Sequence, residues 1–170
     1  VMVVAENCIA QAALVLAISA AEAWSVVVNA RLSAREIDLI RDHSGARRVV
    51  YTVAVSSDAR AHAERHGATF LDAPGVGPLA LGPLASVVLP EPAAADPTKQ
   101  VAVLLYTSGT TGAPKGVMLS HRSILFVAGT ARAMRDLGPE DRFYGVLPVA
   151  HIVGFATVLV AALLSGASVY

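Results

Sequence analysis

Tyr106-Thr107-Ser108-Gly109-Thr110-Thr111-Gly112-Ala113-Pro114-Lys115-Gly116 follows an apolar run, Val101 to Leu105, with the composition of a buried strand. Val117-Met118-Leu119 and then Ser120-His121 come after it. Between these flanks the composition changes abruptly: four hydroxyl residues, three glycines, a proline and a lysine fall within ten positions. Glycine lets the backbone take positive φ and bring its N–H groups close to a ligand. Hydroxyls add hydrogen-bond donors and a lysine ammonium adds a point charge. Such a loop suits a polyanion such as a nucleotide triphosphate.

The bland alternative is a turn joining two strands. The run is longer than a hairpin turn needs. It also carries one of only two lysines in the chain, Lys99 being the other. A Walker A loop is excluded, because its lysine follows the last glycine and precedes Ser or Thr. Here Lys115 precedes Gly116, and Val117 comes next. The residues by themselves favour phosphate binding and go no further.

Tyr106 to Gly116, continued by Val117-Met118-Leu119-Ser120-His121, resembles the phosphate-loop signature of the adenylate-forming (AMP-binding) enzymes. That superfamily includes acyl-CoA synthetases, luciferases and the adenylation domains of peptide synthetases. Downstream, Leu147-Pro148-Val149-Ala150-His151-Ile152-Val153-Gly154 resembles the family's Leu-Pro-x-x-His-x-x-Gly segment. Upstream, Val28-Asn29-Ala30-Arg31-Leu32-Ser33-Ala34-Arg35-Glu36 is similar to a stretch of the acyl-CoA ligase branch. The resemblance spans essentially the whole chain and implies part of the large N-terminal domain of such a ligase.

It also implies a chemistry. A carboxylic acid attacks ATP to give an acyl-adenylate and pyrophosphate, and coenzyme A then takes the acyl group. Thr107, Ser108, Gly109, Thr110, Thr111, Gly112 and Lys115 are the implied phosphate-binding residues. Thr107 is the implied hydroxyl near Mg²⁺, and His151 is implied to line the acid pocket. Ala150 stands where the family often carries an aromatic residue, and Glu22 where it usually has glycine. Taken without the resemblance, His151 reads as a helix cap or a buried, hydrogen-bonded ring. The family's adenine and ribose sites, its Mg²⁺-binding glutamate and its C-terminal lysine have no counterpart here, so no catalytic residue is assigned. The 170-residue chain alone is expected to be inactive, as a piece of a longer polypeptide. The rival reading is a non-catalytic phosphate- or nucleotide-binding module, or an inactive remnant.

Composition bounds these readings. At 170 residues the chain can bury a core as one domain. Formal charge is zero with no basic patch, which argues against nucleic acid. The single cysteine, Cys8, excludes an internal disulfide framework and fits a reducing cytoplasm. Hydrophobic residues make up 55% of the chain, but polar residues interrupt both long apolar runs, so no membrane span is expected.

In order, strands are expected at Val1–Ala5, Trp24–Val28, Arg47–Thr52, Thr69–Leu71, Val101–Leu105, Val117–Leu119 and Arg142–Leu147. Helices are expected from an N-cap at Asn7 to about Ala21 and from a capping box at Ser33 and Glu36 to about His43. Others span Asp58–His66, Ser120 to about Asp136, with Ile124, Val127, Ala128, Ala131 and Met134 inward, and Ile152–Leu164. His43, His62, His66 and His121 read as solvated, and Arg47-Arg48 as paired with carboxylates. The stretch 72–99, rich in Pro and Gly, reads as a connecting excursion between segments 1–71 and 100–170. Alternating strands and helices imply an α/β fold: a doubly wound, mostly parallel sheet with flanking helices. Strand-like ends left unpaired favour dimers, so a homodimer is among the expected states.

Overall fold

A computed structural model describes residues 1–90, 92–107 and 114–170, Pro97 by its backbone only. Strand β1 (Met2–Ala5) is wholly buried at the centre of a seven-stranded sheet. β2 (Ser25–Asn29) pairs parallel to it on one side and β3 (Val49–Tyr51) on the other. Beyond β2 lies β6 (Val101–Thr107), also parallel, and then β7 (Lys115–Ser120), antiparallel at the edge. Beyond β3 the hairpin of β4 (Thr69–Ala73) and β5 (Gly77–Leu81) is antiparallel, giving the order β4-β5-β3-β1-β2-β6-β7. The expected doubly wound sheet is present, with its parallel strands in the middle. Residues buried on both faces explain the unbroken Val-rich runs of β1 and β2.

Strand β5 lies inside the stretch read as a connecting excursion. Its Gly77-Pro78 start hides a strand, and Leu79 and Ala80 supply the burial that propensity does not show. The strand expected over Arg142–Leu147 shrinks to β8 (Arg142–Phe143), which pairs parallel with β9 (Ser168–Val169).

Helix α1 (Ile9–Ala20) packs by Val15 and Ile18 on the sheet face that shows Val3, Ala5 and Val27. Helix α2 (Ala34–Ser44) packs by Ile37 and Ile40 on the opposite face, against Met2, Val4, Val26 and Val28. Helix α3 (Ser57–Arg65) shares that second face through Ala59 and Ala63. The chain therefore leaves the adjacent strands β1 and β2 toward opposite faces. Doubly wound sheets bind ligands in the crevice this divergence opens at the carboxyl ends of the strands.

The capping box forms as expected, Ser33 Oγ accepting from Glu36 N–H and the Glu36 carboxylate accepting from Ser33 N–H. Gly45 closes α2 in the left-handed conformation, φ 60°. The N-cap of α1 is Cys8, not Asn7: its Sγ accepts from Gln11 N–H at 3.4 Å. Glu22, just past α1, has φ 55°. Glycine reaches that conformation without strain, which gives a backbone reason for glycine at this position in the resembled family.

Helix α4 (His121–Arg135) buries Ile124, Ala128 and Ala131. Met134, expected inward, is 82% exposed. Arg135, also exposed, donates from its guanidinium to Thr157 O at 3.3 Å. A π-helix, Val153–Val160, runs directly into α5 (Ala161–Ser165), where one α-helix was expected. Ala128 and Ala131 pack on Ala161, small residues that let the helices approach closely. No helix among the described residues is long and apolar enough to cross a membrane.

Three of the histidines read as solvated are held by partners. His62 is 8% exposed, and its Nε2–H donates to Ala30 O and Leu32 O at 3.0 and 3.1 Å, tying α3 to the β2–α2 connection. His66 receives the Tyr51 hydroxyl at Nδ1 and donates from Nε2 to Asp38 at 2.7 Å. Asp38 also receives Arg65 at 2.7 Å. Burial keeps His66 below the ordinary histidine value, with the Asp38 bond opposing it. Burial pushes Tyr51 up to about 12, so it remains a donor. His43 Nδ1 accepts from the Tyr106 hydroxyl at 2.8 Å. Arg48 donates to Gly82 O rather than to a carboxylate, and Arg47 Nε is buried with no partner among the described residues. The helical faces that carry His62 and His66 look polar in sequence but are covered here by neighbouring elements, whereas His43 keeps its exposure.

Candidate functional site

The implied phosphate loop leaves the carboxyl end of β6, on the same sheet edge as the ends of β1 and β2. Thr107 and Lys115 are the last pair of the β6–β7 ladder. Both are exposed, so a hydroxyl and an ammonium stand together at the mouth of the loop. Ser108, Gly109, Thr110, Thr111 and Gly112 lie outside the described residues. Lys115 forms no ion pair among the described residues, which leaves its charge for a ligand.

The base of this hairpin is clamped. Tyr106 faces Gly116 across the ladder, and a Cβ on Gly116 would come within 3.0 Å of the Tyr106 ring. On its far side the Tyr106 hydroxyl meets His43 at the end of α2. Burial raises the Tyr106 pKa, which keeps the hydroxyl a donor. The tyrosine that opens the motif thus has a packing role, and the glycine after the lysine makes room for its ring.

The second motif segment lies outside the sheet. Val149, Ala150 and Ile152 pack against the cluster of Val15, Val27, Val103, Leu105 and Phe155, on the α1 face. Gly154 touches the carbonyls of Leu147 and Pro148 so closely that a Cβ would sit 2.2 Å from Pro148 O. That contact is a reason for glycine three residues after His151. His151 N–H donates to Pro148 O at 3.0 Å, and Phe155 N–H to His151 O at 2.8 Å.

His151 is exposed, and its Nδ1 accepts from Val153 N–H at 3.3 Å. The capping role read from the residues alone is therefore real. With Nδ1 an acceptor, the proton of the neutral ring lies on Nε2. Nε2 has no partner among the described residues, so the cap also presents an N–H donor. A carboxylate or phosphate oxygen is the complementary ligand.

Beside the second segment, at the carboxyl ends of β1 and β2, lies a crevice of about 250 Å³. Glu6, Asn7, Gln11, Asn29, Arg31 and Ala150 are among its lining residues. Arg31 and Glu6 pair at 2.5 Å, so the rim holds no net charge from them. A larger cavity of about 460 Å³, beside Glu22, Trp24 and Arg47, lies at the amino ends of the strands. That is the wrong edge of a doubly wound sheet for its ligand. No group of three His, Cys, Asp or Glu side chains that could hold a metal ion occurs among the described residues. Thr107 is the one implied metal contact on this chain, and it suits an ion that arrives already coordinated by phosphates.

Sequence reading alone did not identify Asn7, which reaches the Gly145–Val149 segment by three hydrogen bonds. Its position before a helix pointed to a cap, and no local pattern marks a contact 142 residues away.

A family model described as AMP-binding enzyme matches residues 1–170. The Long-chain-fatty-acid–CoA ligase FadD13 of Mycobacterium tuberculosis is 35% identical over 144 residues, covering 83% of this chain and 28% of its own length. The Sulfoacetate–CoA ligase of Cupriavidus necator is 44% identical over 68 residues, covering 40% of this chain and 13% of its own length. The chain thus spans under a third of these relatives. Among solved structures, the N-terminal domain of FACL13 from Mycobacterium tuberculosis superposes with a TM-score of 0.74 at 24% identity, over 99% of this chain and 42% of that one. ATP-bound MatB from Rhodopseudomonas palustris superposes with a TM-score of 0.71 at 23% identity, over 99% and 34%. At these identities the superpositions speak for the fold.

Proposed function

Because the chain belongs to the AMP-binding enzyme family over residues 1–170, we propose that it contributes the phosphate-gripping part of an ATP-dependent acid–coenzyme A ligase. The observation that carries this reading is the placement of two motif segments on one sheet edge. Thr107 and Lys115 open a Gly/Ser/Thr-rich loop there, and His151 presents an N–H donor in the neighbouring segment. The rival of a non-catalytic phosphate-binding module explains the loop but leaves that donor without a task.

In the proposed reaction a carboxylate oxygen attacks the α-phosphorus of ATP. The bond from that phosphorus to the bridging oxygen breaks, and pyrophosphate leaves with the electron pair. The thiolate of coenzyme A then attacks the acyl carbon of the acyl-adenylate and AMP departs. Negative charge grows on the leaving β,γ-phosphates, where preorganised donors are worth most. Ser108, Gly109, Thr110, Thr111 and Gly112 supply N–H and hydroxyl donors in this reading, and Lys115 the neutralising charge. Thr107 would offer a hydroxyl to Mg²⁺ carried on the phosphates of ATP, an ion that would neutralise part of their charge. His151 Nε2–H holds an oxygen of the acid or of the α-phosphate. ATP, coenzyme A and a small carboxylic acid are the partners, and a reducing cytoplasm is the setting.

The FadD13 relative is a long-chain fatty-acid ligase, so fatty acids are the first class to try. The test is acid-dependent ATP–pyrophosphate exchange across acids of increasing chain length by a full-length protein carrying this segment, since the 170 residues alone are expected to be inactive. Exchange that rises with one class of acid is the expected result. ATP binding with no acid-dependent exchange would favour the non-catalytic module.

A further inference from the structure

Asn7 commits three of the four hydrogen-bonding sites of its side chain to one distant segment. Its Nδ2 donates to Gly145 O at 2.7 Å and to Leu147 O at 2.8 Å, and its Oδ1 accepts from Val149 N–H at 2.9 Å. The three bonds span 138 to 142 residues of sequence. Past β8 the Gly145 N–H still donates to Tyr170 O at 2.7 Å, while the carbonyls of Gly145 and Leu147 are taken by the Asn7 side chain. The amide thereby holds the backbone that leads, one residue after Val149, into Ala150 and His151. Ala150 lines the crevice beside Asn7 itself. Gly154 limits the segment from the other side by its contact with Leu147 O and Pro148 O.

We propose that Asn7 is a positioning residue for acid recognition: its side-chain amide sets where Ala150 and His151 stand, and so sets the affinity for, and choice among, carboxylic acids. The proposal rests on His151 lying at the acid site, as argued above. Asn7 touches neither the acid nor ATP in this account. Its influence passes through the Leu147–Ala150 backbone. A misplacement of about 1 Å in a supporting element is enough to change catalysis by as much as a hundredfold. Thr107 and Lys115 are held by a different anchor, the β6–β7 ladder, so the proposed contacts to the β- and γ-phosphates are left alone.

The experiment compares wild type with Asn7→Ala and Asn7→Asp in the full-length protein. Alanine removes all three bonds. Aspartate keeps the acceptor for Val149 N–H but sets a carboxylate oxygen against two carbonyls. Hydrogen exchange at the Val149 amide reports the anchor directly and should speed up in Asn7→Ala. The KM for the acid should rise about tenfold while that for ATP moves less than about twofold, the split expected of acid-side positioning. The order of preference across the acid panel should also change. Faster Val149 exchange with unaltered acid KM and preference would overturn the proposal. So would parallel rises in both KM values with a lowered Tm, the signature of a merely structural residue. Should Asn7→Ala fail to fold, Asn7→Ser keeps a short donor and acceptor, and the same split is read on it. A wild type without acid-dependent exchange would remove the ligase reading and this inference with it, whereas an active wild type and an indifferent variant would remove only the inference.

Discussion

The two motif segments share one edge of the sheet but are held in opposite ways. Thr107 and Lys115 take their places from a regular antiparallel ladder between strands adjacent in sequence, and Tyr106 packs on Gly116 within the same ladder. Leu147 to His151 belong to no strand. They are held by one side chain from the end of β1, by apolar packing of Val149, Ala150 and Ile152, and by a close backbone contact at Gly154. A ladder specifies position through many repeated bonds, so losing one contact shifts it little. A segment held by few, individually necessary contacts moves when any of them is changed.

The largest expected effect breaks the second segment. Gly154→Ala places a Cβ 2.2 Å from Pro148 O, where backbone must shift on both sides. Overpacking of this kind costs about 2–3 kcal/mol or more, read as a lowered denaturant midpoint. A midpoint within error of wild type would show that the segment yields freely and that the comparison is overdrawn.

Lys115→Ala tests the other side. The side chain is exposed at the end of the ladder, so the Tm should stay put. If Lys115 neutralises the leaving phosphates, pyrophosphate exchange falls by the worth of a charged hydrogen bond, about 1.5–3 kcal/mol or roughly ten- to a hundredfold. Unchanged exchange in a folded variant would return the loop to the plain turn reading.

The smallest expected effect sharpens the comparison, because it should spare both segments. His66 is depressed by burial and Asp38 chiefly by its bond to Arg65. Groups depressed in the folded state stabilise it above their unfolded pKa values and lose that contribution as pH falls. The Tm should therefore decline as pH drops below about 6.5 through His66, and again below about 3.8 through Asp38. His66→Gln should flatten the first decline. Exchange at the Val149 amide, which is bonded to uncharged Asn7, should not follow the first step. A Val149 amide that opens together with His66 protonation would show that the segments are coupled through α2 and α3.

Much of this was legible in the sequence because its causes are short-range. Alternating apolar runs and helical periods name the parallel sheet, the capping box at Ser33 names the start of α2, and Gly45 and Gly166 mark helix ends in left-handed conformations. The Gly/Ser/Thr run with Lys115, and the Leu147–Gly154 pattern, point to the family before any fold is seen. β5 was hidden because Gly77 and Pro78 read as turn residues and only pairing with β3 and β4 makes them a strand start.

The sequence by itself determined the alternation of strands and helices outside β5, the family and the residues of the two motif segments. These depend on backbone sterics, on turn chemistry and on patterns a few residues long. The tertiary structure alone decided which polar groups meet. It turned His62 and His66 from helix-surface residues into buried links, set Tyr106 between His43 and Gly116, and drew Asn7 away from the helix it precedes. The physical reason is separation along the chain. A hydrogen bond across some 140 residues leaves no local signature, because it exists only once the sheet has brought the end of β1 beside the segment it holds.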